Sequence, residues 1–587
     1  MTVSVIRKAA PDGGVAHYLT DYEAARRSFT WENARSELKG LPDRHLNMAY
    51  EAVDRHVEDG HGSWLAGRFI DREWHRTDVT YESLYRRTNR FANVLDTLNV
   101  ERGECVATLL GRVPELFTVV LGSLKGGRIC SALFSAFGPE PLKTRLQLGH
   151  VRVLVTDENL YRRKVAAIRN SLPELHQVLI VRQKSGKELP SGTRDFAELM
   201  SAADDSYAPA LTRDDDVALL HFTSGTTGKP KGVTLTHAAV IVHQTTSRLV
   251  LDLHPREICW CTADPGWVTG IAYGVIGPLT RGVALIVDEE DFDPERWYRI
   301  LEEEHVNVWY TAPTAIRMLM KAGMAFTRAR SYPDLRLMLS VGEPLNAEAV
   351  LWGVESFGMP FHDTWWQTET GGIMIANFAA CDVLPGSMGR AIPGVEIRVV
   401  RRRSDGHVEV IDSPDEVGEI ALRPGWPSMF SGYLEEMQRY RSAFIDGWYL
   451  AGDLARRDQD GFFWFIGRAD DVIKAAGHLI SPFEVESCLM THPAIAQVAV
   501  IGVPDPIAGQ AIKAFVELKN GVQADEELRR NLLAHARRLL GAVVAPREIA
   551  FSEALPRTRS GKIMRRLLRA RELGQPEGDL STLEAGS

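Results

Sequence analysis

The chain has 587 residues, 45% hydrophobic and 25% charged, with 68 basic against 77 acidic side chains and a formal net charge of −9. That length exceeds what one core supports, so several domains are expected, and the acidic balance opposes a chain whose main task is coating nucleic acid or an anionic membrane. The six cysteines, Cys105, Cys130, Cys259, Cys261, Cys381 and Cys488, form no CxxC pair and no zinc spacing, which points to a reducing, cytoplasmic setting. The segment MTVSVIRKAAPDGG has no long apolar region, and no run reaches membrane-spanning length, so neither a secretory leader nor a membrane span is expected.

Residues 1–75 are polar and aromatic without a clear period, apart from a helix expected around Leu46–Val57, and are taken as an N-terminal extension packed on a large domain. From residue 76 helix-like and strand-like stretches alternate: YESLYRRTNRFANVLDTL, CVATLL, PELFTVVLGSLKGG, ICSALF and VRVLVTD. A second cycle runs through HAAVIVHQTTSRLVL, GVALIVD, VNVWYTAP and LRLMLSVGEP, and after about 386 short strands follow in GVEIRVVRR, GEIALRP and GFFWFIG. These periods predict an α/β fold, with a large domain over 76–469 made of two doubly wound α/β subdomains plus a β-rich subdomain. Residues 470–587, with FEVESCLMTH, QVAVIGVPD, AIKAFVELK and ADEELRRNLLAHARRLL, read as a small separate α+β domain.

The segment HFTSGTTGKPKGVTLTH at 221–237 is a glycine- and hydroxyl-rich loop entered from a hydrophobic strand. Ser224, Thr226 and Thr227 supply hydroxyls, Gly225 and Gly228 let backbone N–H groups approach oxygens, and Lys229 and Lys231 supply charge, as a polyphosphate requires. It is not a GxxxxGK[ST] loop, because Gly225 to Gly228 is too short and Pro230 follows the lysine.

Further along, DTWWQTETGG at 363–372 sets two indoles suited to stacking on a base beside Thr368, a phosphate donor, and Glu369, a carboxylate for a divalent cation. SVGEP at 340–344 puts a glycine and a carboxylate at a strand end, Asp453 follows a strand in YLAGDL, Arg468 lies in GRADD, and Lys562 stands in a glycine-containing turn before a basic helix. Taken singly, a tryptophan pair is more often core, an aspartate after a strand a turn cap, and a lysine in a basic tail a solvated face. Their order and co-occurrence in one chain outweigh those readings.

In that combination the chain resembles the AMP-forming acyl-CoA synthetases of the adenylate-forming superfamily, over nearly its whole length. GWVTG, SVGEP, DTWWQTETGG and PRTRSGKIMRR are closest in form to the bacterial acetyl-CoA synthetase branch. The resemblance implies ATP, Mg²⁺ and CoA as cofactors and a small carboxylate as substrate, with no nucleic acid or membrane partner. It implies that Thr223, Ser224, Gly225, Thr226, Thr227, Gly228 and Lys231 cover the β- and γ-phosphates. Gly342, Glu343 and Pro344 line the adenine pocket with Asp363, Thr364, Trp365 and Trp366, in a nucleotide site that also includes Gln367. Thr368 meets the α-phosphate, Glu369 helps hold Mg²⁺, Asp453 and Arg468 take the ribose, and Lys562 bridges acyl carboxylate, ribose and α-phosphate.

It further implies that the small domain is mobile. It rotates about Asp470 after adenylation, removing Lys562 and bringing Gly477 against the pantetheine tunnel, with Arg145 and Arg537 as candidate contacts for the CoA phosphates. A structural cation is implied at the carbonyls of Met490 and Ile495 around His492. Acyl-chain length is set by Trp366, where the general pattern has glycine, with Val268, Thr269 and Val341 lining the rest. Such a pocket accepts two or three carbons, and discrimination of about 1–3 kcal/mol per methylene makes propionate a poorer substrate.

One departure stands out: Leu479 replaces the family's basic residue after the Gly477 turn, and His478, with an unperturbed pKa of about 6.5, compensates only in part. Acylation of Lys562 by a protein acetyltransferase, reversed by a deacylase, would cancel the charge that adenylation needs. The nearest rival functions are a propionate or other small-carboxylate ligase and an adenylating enzyme that passes acyl-AMP to a carrier thiol. A P-loop ATPase is opposed by the loop spacing, and a silent nucleotide sensor by the presence of Glu369, Asp453 and Lys562.

Overall fold

The computed structural model describes residues 5–8, 15–182, 188–224, 230–475, 478–506, 509–519, 521–558, 562–577, 580 and 583. Two large sheets, a smaller antiparallel sheet and a C-terminal sheet organise the chain.

The first sheet has eight strands, with Cys105–Leu109 at its centre pairing in parallel with Ile129–Ala132 and Val151–Asp157. All five residues of Cys105–Leu109 are buried, as expected of a strand covered on both faces. The helix Pro114–Lys125 lies against it, and the helix Tyr81–Thr97 packs on that helix in turn; the latter is capped by the Thr80 hydroxyl on the Ser83 amide at 3.1 Å and buries Leu84, Phe91, Val94 and Leu95 along one stripe. Towards the opposite edge, Val217–Ser224 and Pro230–Thr236 form an antiparallel pair whose last register is Ser224 opposite Pro230.

The second sheet has nine strands. Ile258–Cys261, Val308–Thr311, Leu337–Ser340 and Phe361–Trp365 run in parallel, and their C-terminal ends open together. In such sheets ligands bind outside the carboxyl ends of the strands. Residues 65–80, where the sequence shows no period before 76, contribute the strands Leu65–Ile70 and Arg76–Thr80. The first of these pairs in parallel with Ala284–Asp288. The helix expected near Leu46–Val57 is present over 48–58, with a π turn at Tyr50–Asp54.

A six-stranded antiparallel sheet follows; in it the long strand Trp448–Arg457 pairs with Phe463–Arg468, placing Asp453 directly opposite Arg468. Beyond it, five strands from Ile473–Ala475 to Glu548–Phe551 and the helices Pro482–Met490 and Glu526–Val544 enclose a core of their own around Val485, Val498, Val500, Ile512 and Leu532, while the helix Arg565–Glu572 packs Leu568 against Ala499 and Ile501 on a second cluster. Two doubly wound sheets, a β-rich part and a small α+β part are therefore the observed architecture. Among the described residues no helix is long and apolar enough to cross a membrane.

Candidate active site

The ends of the second sheet, the strand pair Val217–Ser224 and Pro230–Thr236, the antiparallel sheet and the C-terminal part enclose a cleft of about 950 Å³. Leu337–Ser340 delivers Val341, Gly342, Glu343 and Pro344 to it, and Phe361–Trp365 delivers Asp363 through Glu369. Gly342 has a φ of +94°, a region that L side chains rarely adopt, and a Cβ there would stand 3.9 Å from Lys562 Cε. Lys562 therefore reaches in from the C-terminal part and lies across the SVGEP turn.

Solvent reaches Lys562 through the open cleft, yet the surrounding walls desolvate its amine and pull it below the ordinary lysine range, with Glu343 and Asp453 opposing. Its backbone is tied to Thr558: Thr558 N donates to the Lys562 carbonyl at 2.7 Å, and Lys562 N donates to Thr558 Oγ1 at 3.0 Å. Glu343 is fixed by Thr314 Oγ1 at 2.6 Å and by Arg317 at 2.5 Å, both from the helix Pro313–Ala322.

Asp453 accepts from three donors: Trp365 Nε1 at 3.0 Å, Gln367 Nε2 at 2.8 Å and Arg468 at 2.9 Å. Burial pushes its carboxyl upward, and Arg468 opposes that most strongly. Gln367 is itself held by the Tyr449 hydroxyl on its Oε1 at 2.8 Å. A carboxylate gripped in this way presents its remaining lone pairs in a fixed direction.

At the other end, Glu369 accepts from the Tyr433 hydroxyl at 2.9 Å, and the Lys231 amine stands 5.1 Å from the Tyr433 ring. Thr223 lies opposite Lys231 in strand register, and both line the cleft. Burial pulls the Lys231 amine down, with Glu369 opposing. Glu369 is the hard oxygen donor that Mg²⁺ takes, next to a cation and a hydroxyl suited to phosphate, so this donor set fits a nucleotide-bound Mg²⁺.

Between these ends stands Trp366. Its indole N–H donates to the Tyr310 hydroxyl at 3.3 Å, and its ring meets Tyr273 edge-on at 5.3 Å. Tyr310 is held in turn by Thr364 Oγ1 at 2.8 Å, and Thr364 Oγ1 donates to the Ser340 carbonyl at 2.7 Å. Val268, Thr269 and Val341 line the same cleft. Asp363, beneath them, accepts from Ser340 Oγ at 2.6 Å; burial pushes its carboxyl up to about 7.

The structure thus brings together in one cleft Thr223, Lys231, Val268, Thr269, Val341, Gly342, Glu343, Pro344, Asp363, Thr364, Trp365, Trp366, Gln367, Thr368, Glu369, Asp453, Arg468, Asp470 and Lys562. Asp470 accepts from Arg468 Nε at 3.4 Å. Met490 lines the edge, whereas Ile495 is buried in its strand, and the His492 carbonyl accepts from Ile495 N at 3.1 Å. Arg145 is buried with its guanidinium 4.0 Å from the Phe137 ring, Arg537 is exposed on the helix Glu526–Val544, and neither lines the cleft. Gly225, Thr226, Thr227, Gly228 and Gly477 lie outside the described residues, as do the side chains of Ser224, His478 and Leu479. Arg317, Tyr310, Tyr273, Tyr433 and Tyr449, which sequence reasoning passed over, hold the residues it named. Their only signal was aromatic or basic residues in otherwise ordinary strands and helices.

A model of the AMP-binding enzyme family matches residues 66–434, and a model of the AMP-binding enzyme C-terminal domain matches 484–562. The chain is 43% identical over 581 residues to the acetyl-coenzyme A synthetase of Bacillus subtilis (strain 168), covering 98% of this chain and 99% of that one. It is 39% identical to the acetyl-coenzyme A synthetase of Methanothrix thermoacetophila, over 92% of this chain and 84% of the relative. Among solved structures, the Brucella canis acyl-CoA synthetase superposes with a TM-score of 0.74 at 35% identity, over 95% of this chain and 99% of that one. The anthranilate CoA ligase AuaEII in complex with anthranoyl-AMP superposes with a TM-score of 0.82 at 26% identity, over 92% and 99%.

Proposed function

Because the chain belongs to the AMP-binding enzyme family, we propose that it is an AMP-forming acetate–CoA ligase, converting acetate, ATP and CoA to acetyl-CoA, AMP and pyrophosphate through bound acetyl-AMP. The observation that carries this reading is Lys562 lying across Gly342, in one cleft with Asp453 and with Trp366 as its apolar end wall.

In the first half-reaction an acetate oxygen bonds to the α-phosphorus, and the bond from that phosphorus to the bridging oxygen of pyrophosphate breaks. Two anions must meet, so cationic density has to be in place beforehand. Lys562 supplies it at the carboxylate and α-phosphate, with Thr368 as a hydroxyl donor. Asp453, oriented by Trp365, Gln367 and Arg468, takes the ribose hydroxyls, while Gly342, Glu343 and Pro344 border the base. Thr223 and Lys231 face the leaving pyrophosphate. Glu369 would help hold Mg²⁺, which would supply charge neutralisation on the phosphates.

In the second half-reaction the CoA sulfur bonds to the acyl carbon and AMP leaves with the anhydride oxygen. Rotation of 470–587 about Asp470 between the two steps withdraws Lys562 and admits the thiol. Arg145 and Arg537 remain the candidate contacts for the CoA phosphates, and Met490, His492 and Ile495 the candidate carbonyl site for a structural cation. Acylation of Lys562 would silence the first step alone, which gives a protein acetyltransferase and a deacylase a means of control. The six described cysteines are free thiols, in keeping with a cytoplasmic location.

The test is exchange of labelled pyrophosphate into ATP without CoA. Acetate-dependent exchange supports the reading, and exchange that needs no acid or only a longer acid contradicts it. Adenylate that forms but transfers to a carrier thiol and not to CoA would favour the carrier-loading alternative.

A further inference from the structure

Resting on that reading, the interface between the large domain and the C-terminal part carries one inference more. Glu517 is the penultimate residue of the strand Gly509–Leu518, with its carboxylate almost wholly buried. One oxygen pairs with Lys321 Nζ at 2.9 Å, from the large domain's helix Pro313–Ala322, and the other pairs with Arg557. Arg557 stands opposite Ile563 in an antiparallel bridge, and the neighbouring Thr558 is bonded to both the backbone N and the carbonyl of Lys562. Lys321 lies one helical turn beyond Arg317, which fixes Glu343 at the mouth of the same cleft. One helix of the large domain therefore anchors both the nucleotide turn and the carboxylate that braces the bridge beside Lys562.

We infer that Glu517 and Lys321 are positioning residues forming a latch that holds the C-terminal part where Lys562 enters the cleft. The two ion pairs differ in kind. Arg557–Glu517 is internal to the C-terminal part and travels with it, so the buried carboxylate keeps a partner throughout a rotation. Lys321–Glu517 crosses the interface and is broken by the rotation, leaving Lys321, already part-exposed, to water. Stranding a buried charge is strongly unfavourable, whereas releasing an exposed lysine is not. The pair therefore biases the orientation without blocking departure from it, and a contact present in only one of two states shifts their balance by its differential strength.

The experiment compares wild type with Lys321→Ala and Lys321→Arg, which leave the internal Arg557–Glu517 pair intact. In Lys321→Ala, acetate-dependent pyrophosphate exchange should fall roughly fivefold or more. Thioester formation from added acetyl-AMP and CoA should be unchanged or faster, and Lys321→Arg should restore exchange to within about twofold of wild type. Hydrogen exchange of the protein without substrates should quicken in Pro313–Ala322 and in the bridge partners 555–558 and 562–564, and not in the core strand Cys105–Leu109. Equal loss of both half-reactions, or interface exchange identical to wild type, would overturn the latch. If wild type showed no acetate-dependent chemistry the functional reading would fall, while the hydrogen-exchange comparison would still decide the latch.

Discussion

Trp366 and Tyr310 are joined by a hydrogen bond of 3.3 Å from the indole N–H to the phenol oxygen, and the same phenol is tied at 2.8 Å to Thr364. The indole is thus held through two strands of one sheet, Val308–Thr311 and Phe361–Trp365, and its position is set by more than its own volume.

Removing the indole should change which acid is used. Trp366→Gly is expected to raise kcat/KM for butyrate and longer acids while lowering it for acetate; pyrophosphate release with acids of two to eight carbons reads the outcome. Tyr310→Phe keeps the ring but strands the indole N–H, at a cost of about 1–3 kcal/mol if it stays unpaired. It should narrow the preference for acetate over propionate without admitting longer chains. An unchanged acid profile in both variants would remove Trp366 from chain-length control.

Charge at Lys562 should matter to one half-reaction only. Lys562→Gln, or enzymatic acetylation of Lys562, is expected to lower adenylation by at least about a hundredfold, as loss of a preorganised electrostatic group does, while thioester formation from acetyl-AMP persists. The lowered amine pKa gives a sign for pH. Adenylation should begin to fall, as pH rises, at a lower value than an ordinary lysine at 10.5 would give.

Asp453→Asn removes the anionic acceptor that Trp365, Gln367 and Arg468 orient. The KM for ATP should rise by about tenfold or more, corresponding to loss of a charged hydrogen bond of about 1.5–3 kcal/mol. The KM for acetate should change far less. Equal effects on both would point to a collapsed cleft rather than a lost ribose contact.

Asp363 gives a stability test. Its carboxyl is raised to about 7 in the fold against 3.8 for the unperturbed group, so the folded state retains a proton that the unfolded chain has lost. Stability from this group is fully present below the unfolded value and declines as pH rises from about 4 to about 7. Asp363→Asn should flatten that part of the dependence of thermal midpoint on pH. A parallel profile would mean that the carboxyl is ionised in the fold.

Residues set in a distinctive local run are legible in the sequence: the tryptophan in DTWWQTETGG, the aspartate in YLAGDL and the lysine in SGK all reach the cleft. Their partners are not, because they arrive by pairing between distant strands. Asp453 meets Arg468 through antiparallel register, Trp366 meets Tyr310 and Tyr273 through packing, and Lys321 meets Glu517 only once two domains are placed against each other. The doubly wound periods were readable from buried strands such as Cys105–Leu109, whereas Leu65–Ile70 was not, since it carries no long apolar run and its neighbour, Ala284–Asp288, lies far along the chain.

The most direct measurement is product stoichiometry with purified protein, Mg·ATP, CoA and a single acid from two to eight carbons. Acetate should yield AMP, pyrophosphate and acetyl-CoA in equal amounts, propionate the same products more slowly, and butyrate little. ADP in place of AMP, no acyl-CoA with acetate, or a best acid of four or more carbons would contradict an acetate–CoA ligase.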